Sequence, residues 1–486
     1  MSWTFDRHLD LMAAQDITRA PRRGDGTAMQ PWREPDDLPP RRNPARELRA
    51  VTRHLERQPS GHRERIANLA ATFGPMATDC RVSVLVPCRT EAQQIPRLLE
   101  RYLDQRGADG TTVPAAGFEV LVLVNRYADE ADDGTAAAAE RFCGGRVPVR
   151  VAEYLHPADE RAPITTVRRL LADTALWRAA ERPRYLAPLY LLSEDADVHW
   201  LDPRQIATVV DTFDADPGLD GLRGQLDHCP WILARHPLLL LSRRSWNFTE
   251  ALLSRRCARP DRRPDYDFTW NRLNTSGWNT AFTAEVYARI GGYSVERTLD
   301  EDMDIGEKIS VLRAYRRHGR LVPQVNTIRS IPNRSEGSPR RWLYWAATGT
   351  EPYHEADDFD NFLGRPHERA IKDASLSELE DIAAPRTGLD VDRLTEAMQR
   401  DLDFLGRRTG AANRDHGLYR KVLALLGFRP GEAEVTDGRL RIRSLTGVTE
   451  RLNHHARFAE FTVGAFPKTL PTTAVTWRIS AVPRGA

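Results

Sequence analysis

Residues 81–99 read RVSVLVPCRTEAQQIPRLL, and the fold of the chain turns on them. From Val82 to Val86 every residue but Ser83 is apolar and most are β-branched, the texture of a strand buried on both faces of a parallel sheet. The strand is expected to stop at Pro87. Polar Cys88, Arg89, Thr90 and Glu91 follow, and a helix is expected from about Gln93 to Gln105. A strand that turns into a helix presents backbone N–H groups at the helix N-terminus, suited to an anion. Taken alone, an ordinary turn with Glu91 in the first helical turn explains these residues as well.

The same unit recurs downstream. FEVLVLVN (118–125) is a second strand, AAAAERFC (136–143) a helix and VPVRVAEY (147–154) a third strand. Residues 166–180 make a further helix, 189–192 a strand that ends in acids, and 219–225 another short strand. Successive βα units predict a doubly wound α/β sheet, which binds ligands beyond the carboxyl ends of its strands.

Towards the N-terminus, residues 47–73 have helical spacing with a break at Pro59-Ser60-Gly61, and PRRGDGTAMQPWREPDDLPPRRNP (21–44) is too polar to offset its ordering entropy. Towards the C-terminus the chain turns helical (376–382, 391–405, 419–426) and finishes in short strands near 440–442 and 458–463. The expected organisation is an arm over 1–46, a helical extension over 47–78, an α/β domain over 79–365 and a mostly helical accessory region over 366–486. The two extensions are expected to shape ligand choice or self-association.

Composition narrows the function classes. A chain of 486 residues exceeds what one small core serves, and 70 Lys+Arg against 68 Asp+Glu leave no polyelectrolyte surface for nucleic acid. Five scattered cysteines (Cys80, Cys88, Cys143, Cys229, Cys257) form no CxxC pair and fit a reducing cytoplasm. No apolar run reaches the ~18 residues a membrane helix needs, which limits membrane contact to the periphery.

Three polar groups fall at strand ends. The first is the Pro87–Glu91 turn. The second, Ser193-Glu194-Asp195-Ala196-Asp197, sets two carboxylates close together, and their repulsion calls for a cation or several donors. Mg²⁺ or Mn²⁺ bridging a diphosphate is the usual answer, and a solvated acidic turn is the plain alternative. The third, Asp300-Glu301-Asp302-Met303-Asp304, follows Gly291-Gly292 and opens an apparent helix. Helix capping accounts for one or two of its four acids, and like-charged neighbours would raise one of them towards general-base duty.

In this order and spacing, VSVLVPCRTEAQQIPRLL, VLVLVN, LLSEDAD, SGWNTAFTAEVYARIGGY and DEDMDIGEKI resemble the family 2 glycosyltransferases of GT-A fold, over roughly Arg81 to Leu321. The resemblance implies sugar transfer from a nucleoside-diphosphate-sugar donor to an acceptor hydroxyl with a divalent metal. It assigns Pro87, Arg89, Glu91, Asn125, Arg168 and Asp195 to the donor nucleotide, and Asp197 with Asp195 to the metal. Asn125 stands where the family commonly has an aspartate, and Arg169 where an asparagine usually follows the arginine. Gly277, Trp278 and Asn279 fall on the acceptor side, and Asp302, after Glu301, matches the catalytic base. Direct displacement inverts the anomeric carbon, whereas some enzymes of this fold retain it. Ser338-Pro339-Arg340-Arg341-Trp342 resembles the Gln-x-x-Arg-Trp element of processive synthases, with Arg341 on diphosphate and Trp342 on a sugar; a capped helix start with a core tryptophan explains it equally.

The acceptor class stays open between a small molecule, a peptide and a lipid-linked group, and the absence of membrane helices argues against processive extrusion. His354 reads as a surface residue more readily than as an extra metal ligand, and Trp231, Trp246, Trp270 and Trp278 as core more readily than as a sugar-stacking cleft. Three rival readings have discriminators. A sugar nucleotidyltransferase needs a glycine-rich basic loop after the first strand, which PCRTEAQQ lacks. A degenerate domain that only binds would have no reason to keep Asp195, Asp197 and Asp302. A dinucleotide-binding protein is excluded by the absence of GxGxxG.

Overall fold

A computed structural model describes residues 43–157, 164–228, 277–294, 301–312, 315–317, 320–322, 327–338, 391–409, 416–448 and positions 238, 241, 242, 245, 249 and 451. The chain divides into two units, the first made of Met1–Asp227 with Trp270–Gly337 and the second of His228–Thr269 with Ser338–Ala486.

Two helices open the described part of the first unit, α1 (Pro44–Glu56) and α2 (Ser60–Phe73). Asn43 caps α1 by accepting from the amides of Ala45 and Arg46, and Pro44 takes the first position, where its missing N–H costs nothing. The α/β core follows as β1 (Val82–Cys88), α3 (Ile95–Leu103), β2 (Phe118–Tyr127), α4 (Thr135–Glu140), β3 (Val149–His156), α5 (Ile164–Ala180) and β4 (Tyr190–Ser193). Next come β5 (Trp200–Leu201), α6 (Gln205–Ala215), β6 (Gly221–His228), β7 (Thr280–Thr283), α7 (Ala284–Arg289), α8 (Glu301–Leu312), the hairpin β8 (Tyr315–Arg317) and β9 (Arg320–Val322), and β10 (Ile328–Gly337).

Eight strands form one sheet in the order β3-β2-β1-β4-β7-β6-β10-β5. β3, β2, β1 and β4 run parallel, while β7 is antiparallel to both β4 and β6. This is the α/β, doubly wound mixed sheet that the resemblance to GT-A enzymes implies. From β1 the chain steps outward through β2 to β3, then crosses to the other side of β1 to lay down β4. The order therefore reverses between β1 and β4, where a doubly wound sheet opens a ligand crevice at its carboxyl edge.

Period-two alternation divides the strand residues between the faces. Val82, Val84, Val86, Val120, Val122 and Val124 face α3, α4 and α6, while Leu85, Leu121, Leu123 and Leu191 face α1, α2, α5, α7 and α8. Both faces are covered, hence the apolar runs, which only Ser83 and Glu119 interrupt within 82–86 and 118–124, and these two bond one another. The helical extension is tied down by charge as well. Asp173 of α5, fully buried, accepts from His54 and His62 Nε2 at 2.8 Å each, and this pairing holds its carboxyl down at about 2 despite burial. Beneath the sheet Glu119 accepts both Arg178 guanidinium nitrogens at 2.7 and 2.9 Å, and Ser83 Oγ at 2.8 Å.

Two expectations change. β1 continues through Pro87, which pairs with Leu123, and ends at Cys88. α3 begins only at Ile95, so Glu91 is not in its first turn; Thr90 instead bends the chain at φ 56°.

In the second unit α9 (Val391–Thr409) and α10 (His416–Leu425) accompany a hairpin of β11 (Ala433–Thr436) and β12 (Arg439–Ile442). Its turn is Asp437-Gly438, both at positive φ, the pair a two-residue hairpin favours. The expected segments 376–382 and 458–463 lie outside the described residues.

Candidate active site

β4 ends at Ser193, and its side chains alternate into the loop beyond. Ser193 and Asp195 turn to one side, where Arg168 from the first turns of α5 bonds both: Nη1 donates to Ser193 Oγ and Nη2 to Asp195 Oδ1, each at 2.6 Å. Arg168 is 5% exposed while the Asp195 side chain is 35% exposed, so this charge-assisted pair is half-buried, with its carboxylate open to solvent. Ser193 Oγ in turn donates to the Gly277 carbonyl at 2.7 Å.

Antiparallel pairing of Ser193 with Thr280 brings residues 277–279 alongside the acidic loop. Gly277 leaves room there that no other residue would. A Cβ at this position would lie 2.8 Å from Arg168 Nη2 and 3.8 Å from Asp302 Oδ2. Arg168, Asp195, Gly277 and Asp302, far apart in sequence, thus meet at the carboxyl end of β4. Asp302 lies in the first turn of α8, whose Lys308 Nζ donates to the Gly292 carbonyl at 2.6 Å. The Gly291-Gly292 pair ends α7 at φ 80° and 71°; a Cβ on Gly292 would meet Tyr287 Oη at 2.7 Å. These glycines serve a helix end against Tyr287.

At the carboxyl ends of β1 and β2, Asn125 Nδ2 donates to the Cys88 carbonyl at 2.9 Å, and Arg89 pairs with Glu130 while its guanidinium lies 4.8 Å from the Tyr127 ring centre. The Glu91 amide donates to Thr135 Oγ1 at 2.9 Å.

Glu194 points away from its neighbours into the protein interior. It is fully buried, and desolvation together with the nearby Asp195 charge pushes its carboxyl up to about 8. Gln205 Nε2 donates to its Oε2 at 3.1 Å and to Asn279 Oδ1 at 3.0 Å. Asn279 is buried in this network and Trp278 packs in the core against Gly337. Neither Glu194 nor Gln205, Tyr102, Tyr127 or Glu130 stands out as a site residue in sequence. For Glu194 the signal is present in Ser193-Glu194-Asp195, because alternation must send the middle side chain inward. Arg341, Trp342, His354, Trp231, Trp246 and Trp270 lie outside the described residues, as does the side chain of Glu301.

Among the described residues no three His, Cys, Asp or Glu side chains are grouped to hold a metal ion unaided. With one Asp195 oxygen engaged by Arg168 and Asp197 two residues on, the donor set fits a hard ion that takes one or two carboxylates and completes its shell with phosphate and water. Among the described residues no helix is long and apolar enough to cross a membrane.

No family model matches the chain, and no curated protein matches it. Solved structures similar to it include TarS of S. aureus, 15% identical over 74% of this chain with a TM-score of 0.35, of whose length this chain spans 58%. Another is the mannosyltransferase PcManGT of Pyrobaculum calidifontis in complex with GDP-Man and Mn²⁺, 18% identical over 84% of this chain and 97% of that one, TM-score 0.34. A third is glucosyl-3-phosphoglycerate synthase of Mycobacterium tuberculosis with Mn²⁺ and UDP-glucose, 14% identical over 66% and 83%, TM-score 0.28. The fold assignment stands on the strand order and the crossovers.

Proposed function

We propose that this chain is a metal-dependent glycosyltransferase that moves a sugar from a nucleoside-diphosphate donor to an acceptor hydroxyl, by inversion and without processive extension. The observation that carries this reading is the meeting of Arg168–Asp195, Gly277 and Asp302 beside the point where the strand order reverses. It brings a guanidinium-held carboxylate and a second carboxylate together beside Gly277, as donor binding next to proton abstraction requires.

In this reading Asp197 and Asp195 hold Mg²⁺ or Mn²⁺, which stabilises charge on the departing diphosphate when bound. Arg168 keeps Asp195 oriented and offsets the charge of the acidic loop. Arg89, Glu91 and Asn125 flank the nucleotide at the ends of β1 and β2, with Pro87 shaping the strand beneath them. Asp302 accepts the acceptor hydroxyl proton, and Gly277, having no side chain, lets the Arg168 guanidinium lie against it on the acceptor side. Glu301, Arg341 and Trp342 keep the parts the family resemblance gives them. The acceptor is a small molecule, a peptide or a lipid-linked group, and the site of action is the cytoplasm.

The test is titration calorimetry of the protein with UDP-, GDP-, ADP- and dTDP-sugars, each with and without Mn²⁺. A manganese-dependent Kd for one nucleotide, lost in Asp197→Asn and kept in Asp302→Asn while transfer is abolished, is the expected result. Failure of every nucleotide sugar to bind would sink the reading.

A further inference from the structure

Three consecutive residues, Ser193, Glu194 and Asp195, are fastened from two sides. On one side, Ser193 and Asp195 share Arg168, and Ser193 holds the Gly277 carbonyl. On the other, Glu194 reaches the same 277–279 segment through Gln205. Gln205 and Glu194 are fully buried, and both side-chain polar atoms of Gln205 are used: Nε2 donates to Glu194 Oε2 and Asn279 Oδ1, while Oε1 accepts from Tyr102 Oη at 3.1 Å. Tyr102 Oη also lies 3.3 Å from Glu194 Oε2, so its one proton is shared between the two acceptors. Asn279 passes the link on, its Nδ2 donating to the Asn333 carbonyl of β10 at 3.1 Å.

Asn279 is also held in an unusual conformation. Its φ is 50°, a left-handed value that asparagine tolerates better than most residues. Its side chain fills the space where Gly224 has none: a Cβ on Gly224 would fall 2.2–2.3 Å from the Asn279 amide atoms. The Gly224 amide meanwhile donates to the Asn279 carbonyl at 2.8 Å. Helix capping explains little of this, because the Gln205 side chain lies at the start of α6 yet spends every bond on other elements. Every polar side-chain atom of Gln205 and Asn279 is bonded and Glu194 is held through Oε2, its Oε1 alone having no hydrogen-bond partner among the described residues, and a buried chain of this kind rigidifies what it joins.

We propose that Glu194, Gln205 and Asn279 are positioning residues: a buried hydrogen-bond chain that fixes the acidic loop against the 277–279 segment, and so sets the distance between donor-side and base-side carboxylates. The inference rests on the transfer reading for its effect on turnover, and on the fold alone for the coupling itself. None of the three touches a reacting atom in this scheme. Their effect is on registry, where a displacement of about 1 Å can cost two orders of magnitude in rate.

The experiment compares wild type with Gln205→Met and Gly224→Ala, the second a wedge that pushes on Asn279 without removing any bonding group. Asn279→Gly serves as a third variant, since it keeps the left-handed backbone and removes only the side chain. Hydrogen–deuterium exchange should rise at least tenfold in both 193–198 and 277–283 in each variant, with β1 and β2 unchanged. With the nucleotide sugar that wild type binds, its Kd in Mn²⁺ should stay within about threefold while release of the sugar to water slows at least tenfold. Faster exchange confined to one of the two segments, or turnover unchanged beside coupled exchange, would overturn the proposal. If wild type binds no nucleotide sugar the transfer reading falls, and the exchange measurement alone decides the coupling. A Gln205→Met protein that does not fold leaves Gly224→Ala and Asn279→Gly to decide it.

Discussion

Replacing Asp173 by asparagine should separate the helical extension from the sheet it covers. Both carboxylate oxygens of Asp173 accept from an imidazole, His54 on α1 and His62 at the start of α2, and Arg169 Nε stands 3.6 Å from Oδ2. Asparagine has one acceptor where two are needed, so its NH₂ must face a ring nitrogen that was donating. The carboxyl is held at about 2 from an ordinary 3.8, which corresponds to about 2.4 kcal/mol for the ionised form. The folded-state value is depressed, so this stability is fully present above the unfolded value near 4 and is lost as pH falls through 2. Urea melts of wild type and Asp173→Asn should therefore differ by about 2–3 kcal/mol at pH 7 and by about half that at pH 3. At pH 7 the melting temperature should drop by roughly 5–10 °C. A gap below ~1 kcal/mol at pH 7, or one that does not narrow on acidification, would refute the view that the ionised Asp173 holds the extension in place.

Gly277→Ala places a methyl 2.8 Å from Arg168 Nη2; because Ser193 and Asp195 hold that guanidinium, we expect at least a tenfold loss of transfer rate with stability lowered by only about 1–2 kcal/mol, read from kinetics and melts together. Arg178→Met strands the buried Glu119 carboxylate and should cost about 3–5 kcal/mol, while the double variant Arg178→Met/Glu119→Leu recovers much of the loss in chemical denaturation. Asp302→Asn should abolish turnover with donor Kd unchanged, and Asp197→Asn should remove the Mn²⁺ dependence of donor binding; normal turnover in the first, or wild-type manganese dependence in the second, counts against the assigned roles.

The parallel half of the sheet was legible in the chain because residues such as Val82–Val86 and Phe118–Val124 are apolar on both faces, a pattern only a doubly covered strand needs. The antiparallel half was largely not. β7 is four residues long, β5 two, and β10 carries Asn333, Arg334 and Glu336, so none has the run or alternation that marks a strand; β7 pairs on the edge of β4, β10 lies next to β6 and β5 pairs with β10. Pro87 was misleading for a related reason. It looks like a terminator, yet pairing with β2 carries the strand through it to Cys88.

By itself the sequence showed where acids cluster: Asp195, Asp197 and Asp302 are visible at a strand end or a helix start, since a doubly wound sheet must open its crevice there, whereas Asn125 and Arg168 came only with the family resemblance. Only the tertiary structure decided which of them meet. That Arg168 bonds Ser193 and Asp195, that Gly277 lies against that guanidinium with Asp302 close by, and that Glu194 turns inward to Gln205 and through it to Asn279 all depend on strands distant in sequence lying side by side. Hydrogen bonds act over about 3 Å, whereas sequence patterns report only the face on which a side chain lies.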